Sequence, residues 1–150
     1  MKISKAGIEE ANARAKNFRL LNQPDEAESV CLDVLIIDPK NQTALRNLAL
    51  AITDQFTGEQ DEDRQAEAEG AVSKLEDKYE RLYYRGIILE RRAKAQLRVG
   101  KPPSSALPLF EEAMKCFKDA QAMRPPRVDD SILHWNSCVR ILRRYSQLPQ

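Results

Sequence analysis

"IIDPKNQTALRNLALA", residues 36–51, sets a proline and an asparagine between two apolar stretches and resumes helical spacing within a few residues. Proline lacks the N–H and the free φ that a helix interior needs, so one helix must stop before Pro39. Leu45, Leu48, Ala49, Ile52 and Phe56 then recur at the three- and four-residue steps that place side chains on one helical face. Working back from the joint, Ala27, Val30, Cys31, Val34 and Ile37 mark the helix that ends there, and Ile8, Ala11, Ala15, Phe18 and Leu21 the helix before it. Between those two, "NQPDEA" offers Asn22 for a left-handed stop and Pro24 for a first turn.

The same punctuation continues downstream. "TGEQDEDRQ" at 57–65 is a longer polar break, and a fourth helix is predicted over 62–78. Leu82, Gly86, Leu89 and Ala93 mark a fifth reaching about Val99, where "GKPPSS" supplies a glycine stop and two prolines. A sixth runs from Ala106 to "RPP", and a seventh carries Ile132, Trp135, Val139 and Leu142. Strand alternation and hairpin turn pairs are absent, so the expected class is all-α.

Spacing within these helices repeats. Ala27, Cys31, Val34 and Pro39 are separated by four, three and five residues, and so are Ala113, Phe117, Ala120 and Pro125. Ala15 to Ala49 is 34 residues, the period of helix-turn-helix arrays. On these residues the chain resembles the tetratricopeptide repeat (TPR) family, whose units carry a small residue in the first helix and an alanine, a bulky residue, a small residue and a closing proline in the second. The resemblance covers residues 8–125. It implies one domain over 1–150, a right-handed stack of about three units (8–41, 42–78 and 79–127) with a capping helix over 129–146, about seven helices in all. The match loosens after the first unit. Ala49 to Gly86 is 37 residues, no such set is legible in the second unit, and Gly86 to Ala113 is 27 residues where Ala15 to Ala27 is 12.

What the resemblance implies about function is non-enzymatic: a scaffold that holds a peptide or partner helix in a concave groove lined by the first helix of each unit. Register from Ala15, Ala49 and Gly86 projects Asn12, Lys16, Arg19, Arg46, Asn47, Tyr83, Tyr84 and Ile87 toward that groove. The mixture of cations, amides and aromatics suits an extended acidic segment of another protein. Asn47 stands at the asparagine place of the clamp by which some of the family hold acidic chaperone tails, whereas Asn12, Lys16, Glu80 and Tyr84 depart from it. A small three-repeat secretion chaperone is a rival within the same class.

Composition narrows the remaining classes. Apolar runs such as "VLII" (34–37) and "GIIL" (86–89) are far below the roughly 20 residues that cross a bilayer. "MKISKAGIEEANARAK" carries acids by its ninth residue and no apolar core of signal-peptide length, which predicts a cytoplasmic protein. Three scattered cysteines read as reduced thiols. The net charge of +1 gives no general pull toward nucleic acid, but it is unevenly distributed. Residues 54–80 hold ten acids against Arg64, Lys74 and Lys78, net −7, and residues 81–101 hold seven bases against Glu90, net +6. The second block supports an RNA-associated alternative, although aromatics are not interleaved with its bases as stacking platforms. The single histidine, His134, shares a helical face with Cys138 four residues on, which raises a thiolate–imidazole pair or half a metal site. One histidine and scattered cysteines fall short of a metal set or a triad, so neither catalytic residues, metal nor cofactor is expected. Gly58, Gly70, Gly86 and Gly100 form no phosphate-cradling cluster, and "DEDRQAEAE" (61–69) lacks the glycine of a calcium loop.

Overall fold

The structure, a computed structural model, describes residues 1–146; residues 147–150, part of the expected domain, lie outside the described residues. It contains α1 (Ile8–Leu20), α2 (Pro24–Ile37), α3 (Gln42–Thr53), α4 (Glu62–Ser73), α5 (Lys78–Arg98), α6 (Pro103–Gln121) and α7 (Asp130–Ser146), with a single 3₁₀ turn at Lys5–Gly7 and no strand among the described residues.

The helix ends follow from local chemistry. Asn22 takes a left-handed φ of 58° after α1, which lets its N–H reach the Arg19 carbonyl at 3.0 Å and the Gln23 N–H reach that of Phe18 at 2.8 Å. Gly100, with φ 83°, closes α5 in the same way, its N–H and that of Lys101 meeting Leu97 and Gln96 carbonyls, both at 3.1 Å. Asn41 caps α3 by accepting the Ala44 N–H at 2.9 Å, and Asp77 caps α5 by accepting that of Tyr79 at 3.1 Å. The Asp77 cap explains why α4 stops at Ser73 and not at 78: the chain needs extended backbone before it can start α5. α6 begins three residues earlier than Ala106, because Pro103 fits a first turn.

The helices group into two compact units. The first comprises residues 1–56 and 61–76. In it α1 packs on α2, α2 on α3 and α3 on α4, and α1 also touches α3. Ala15, Ala27, Cys31 and Val34 are fully buried, so the residues of the repeated spacing lie in the core of this unit. The pair α3–α4 has a closing set as well: Ala68, Val72 and Leu75 are buried at steps of four and three. Polar links tie the helices together at their ends. Arg19 of α1 meets Asp54 at 2.7 Å, and Arg64 of α4 pairs with Glu28 of α2, to which Gln55 also donates at 2.8 Å. Burial would raise the Glu28 carboxyl, but the hydrogen bonds from Arg64 and Gln55 outweigh it and hold its pKa below the ordinary value.

The second unit comprises residues 57–60 and 77–150, its described helices being α5–α7. α5 packs along α6, and α6 against α7. Ala113, Phe117 and Ala120 are fully buried. Gly86 is the residue that lets the pair close. A Cβ at this position would stand 2.6 Å from one ring carbon of Phe117 and 2.9 Å from two others. Volume is traded between the two pairs: an alanine in α1 accompanies a cysteine in α2, and a glycine in α5 accompanies a phenylalanine in α6.

Gly86→Ala is therefore expected to destabilise the second unit by about 1–3 kcal/mol through overpacking, although alanine is intrinsically the better helix former by about 1 kcal/mol. In denaturant unfolding, Phe117→Leu combined with Gly86→Ala should cost less than the sum of the two single changes. Additive costs would mean that the ring and the glycine are not in contact.

Candidate interaction surface

The residues projected toward a groove divide between the two units and between two roles. In the first unit, Asn12 is half-buried and donates through Nδ2 to Asn41 Oδ1 at 3.1 Å. Asn41 in turn donates to Asp38 Oδ2 at 3.1 Å while capping α3, so Asn12 belongs to the joint between α2 and α3. Arg19 grips Asp54 with two nitrogens, Nε at 2.7 Å and Nη2 at 3.4 Å, an arrangement that fastens α1 to the end of α3. Lys16 is exposed, Asn47 half-buried, and half-buried Arg46 turns back to Thr43 Oγ1 at 3.3 Å. α1 and α3 touch, so Lys16, Arg46 and Asn47 sit on neighbouring helices of one unit.

In the second unit the projection meets an enclosed helix. Gly86 through Glu90 are five consecutive buried residues, so α5 is covered around its circumference at this level and Ile87, 3% exposed, has no surface to offer a partner. Tyr83 is half-buried in an aromatic stack. It lies parallel to Tyr79 with ring centroids 5.9 Å apart, edge-on to Tyr84 at 5.1 Å, and against Phe117 and His134 at 6.1 and 5.7 Å. Burial pushes its phenol well above the ordinary value. Tyr84, half-buried at the edge of the stack, keeps part of its surface.

His134 has a different partner from the one its sequence spacing suggests. Its Nδ1 lies 2.8 Å from Oε2 of Glu90, a carboxylate 1% exposed on α5, whose Oε1 is 2.9 Å from Lys94 Nζ. Burial would raise the Glu90 carboxyl, but the hydrogen bonds from His134 and Lys94 outweigh it, and its pKa lies below the ordinary value. The His134 ring stacks on Phe117 with centroids 5.4 Å apart. Cys138 is completely buried, and burial, with the Glu90 charge adding to it, pushes its thiol up to about 12. It carries negligible thiolate at neutral pH and is not an activated nucleophile. Burial pushes Cys31 up to about 12 as well and raises Cys116; all three are free thiols. Among the described residues, no three His, Cys, Asp or Glu side chains gather in a way that would hold a metal ion. Sequence reading missed Glu90 as a structural group. The available signal was its isolation as the one acid among seven bases over 81–101.

That basic segment is largely engaged within the fold. Arg85 pairs with Glu112 of α6 at 2.7 Å, Lys94 with Glu90, and Arg81, Arg91 and Arg92 have further interactions. No helix among the described residues is long and apolar enough to cross a membrane.

A folded carboxyl that titrates below its unfolded value near ~4.3 adds stability above that pH and loses it as pH falls through the folded value. Glu90→Gln should therefore lower stability at pH 7 and flatten the acid limb of a stability-versus-pH curve below pH ~4. An acid limb unchanged by the substitution would mean that Glu90 makes no such contribution. In native protein all three thiols should resist a water-soluble disulfide reagent until the chain unfolds.

No family model matches the chain, and no curated protein or solved structure matches it, so its own residues carry the functional assignment.

Proposed function

We propose that the chain is a TPR-like protein-interaction module, a right-handed stack of three helix pairs capped by α7, which holds a segment of another polypeptide without catalysing a reaction. The observation that carries this reading is the shared packing set. Ala27, Cys31 and Val34 of α2, and Ala113, Phe117 and Ala120 of α6, are buried at the same steps; Ala15 is buried in α1, and Gly86 of α5 makes room for the Phe117 ring. Helix pairs built this way leave a face of the first helices α1 and α3 open for a partner, whereas α5 is enclosed at Gly86–Glu90. Lys16, Arg46 and Asn47 occupy that face on α1 and α3, and their chemistry suits an extended acidic peptide. Buried, protonated thiols fit a cytoplasmic setting, where thiols remain reduced.

An RNA-associated role is the weaker reading, because Arg85 and Lys94 of the basic segment already neutralise Glu112 and Glu90. A secretion-chaperone role has no observation of its own in its favour.

Arginine holds a carboxylate with two parallel hydrogen bonds, and central anchors carry most of the energy of an interface. For the best binder selected from an array of extended acidic peptides, Arg46→Ala should weaken affinity by about 1–3 kcal/mol in calorimetry, with little change in melting temperature. Arg143→Ala, on the exposed side of α7, should do little. Equal small effects from both, or a larger loss from Arg143→Ala, would put the binding surface elsewhere.

A further inference from the structure

Two basic segments distant in sequence meet within the second unit. Lys94 and Arg98 on α5 and Arg140 and Arg144 on α7 line one open cleft of about 690 Å³, and no acidic residue lines it with them. Lys94 is shared with Glu90. Arg98, Arg140 and Arg144 are exposed and make no side-chain hydrogen bond or ion pair among the described residues. Like charges gathered without counter-charges repel one another, and an anionic ligand relieves that repulsion. The rest of the lining is largely apolar: Leu97 and Tyr145 are half-buried there, and Ile141 is buried.

The arrangement discriminates between anions. Lys94 and Arg98 are four residues apart on one helix, and Arg140 and Arg144 four apart on the other, so each pair repeats at ~6 Å along its axis. Carboxylates four residues apart on a partner helix repeat at the same ~6 Å interval. Arginines grip carboxylates bidentately, and an aliphatic side chain between the carboxylates meets an apolar floor. A nucleic-acid strand would need a series of exposed aromatic faces on which to stack bases, and among the described residues Tyr145 is the only aromatic lining the cleft.

We propose that this cleft is a docking site for an acidic helical segment of a partner polypeptide. Carboxylates one turn apart engage Arg98, Arg140 and Arg144, and an aliphatic side chain sits on Leu97 and Ile141. The proposal rests on the reading that the protein works by holding another chain, but it concerns residues of the second unit, whereas Lys16, Arg46 and Asn47 belong to the first.

The test uses the full chain and fluorescence anisotropy with three labelled probes: an alanine-based helical peptide carrying glutamates four residues apart around a leucine, its glutamine counterpart, and a U-rich RNA of equal charge. The glutamate peptide should bind. Arg98→Ala and Arg140→Ala should each weaken it about tenfold or more, Arg140→Lys should weaken it by less, and Arg143→Ala should leave it within about twofold. Circular dichroism melts identify any variant that fails to fold, and raising the salt should weaken binding. Equal binding of the glutamine peptide, or tighter RNA binding abolished by the same cleft variants, overturns the proposal. So does concentration-dependent self-association lost in Arg140→Ala, which would make a second copy of the chain the occupant. If the glutamate peptide binds but responds only to Arg46→Ala, the cleft proposal falls and the interaction-module reading stands. If no acidic peptide binds, both fall.

Discussion

The Phe117 ring lies where a side chain on residue 86 would otherwise be, and this contact sets how closely α5 and α6 approach. Protein interiors are packed nearly as densely as organic crystals, so a large ring on one helix requires an absence on the other. Around that contact the second unit is layered: Ala113 and Ala120 lie one turn to either side of Phe117, Tyr83 packs on the same ring, and His134 stacks against it from α7. The first unit buries smaller side chains, Ala15 in α1 and Cys31 in α2, and adds polar links at Arg19–Asp54 and Arg64–Glu28.

A second constraint is electrostatic. Glu90 is buried at the level where α5 is enclosed, and a buried carboxylate without partners would be costly. Lys94 and His134 supply those partners from positions about one third exposed, their polar atoms reaching inward to the carboxylate. His134 pairs through Nδ1 with Glu90 of another helix, where spacing along its own helix suggests Cys138. The pair also fastens α7 to α5, the two helices from which Lys94, Arg98, Arg140 and Arg144 line the open cleft. Structural and binding roles of the basic residues are thereby separated along α5: Arg85 and Lys94 face acids of the fold, and Arg98, one turn beyond Lys94, does not.

Local signals made most of the fold legible in the sequence. Asn22, Pro24, Pro39 and Gly100 mark helix ends through backbone chemistry that involves only near neighbours, and each acts where the pattern predicts. The set Ala68, Val72 and Leu75 was hidden because residues 54–61 lengthen the connection and no proline follows, which moves the set 19 residues from Ala49 where the first unit has 12. Ile87 was misjudged for a different reason. A face projected from the repeat register of Ala15, Ala49 and Gly86 assumes a regular superhelix with one open side, and α5 at Gly86–Glu90 has none. The Glu90–His134 pair spans 44 residues and the cationic cleft joins two separate basic runs, so neither can be read from spacing along a single helix.

The claim on which the helix-pair account depends most directly is the seating of the Phe117 ring on Gly86. A nuclear Overhauser measurement on the isotope-labelled chain should detect the Phe117 ring protons close to the Gly86 Hα protons, with those Hα resonances displaced from random-coil positions by the ring current. Hα shifts at ordinary helical values and no cross-peak to the ring would contradict it.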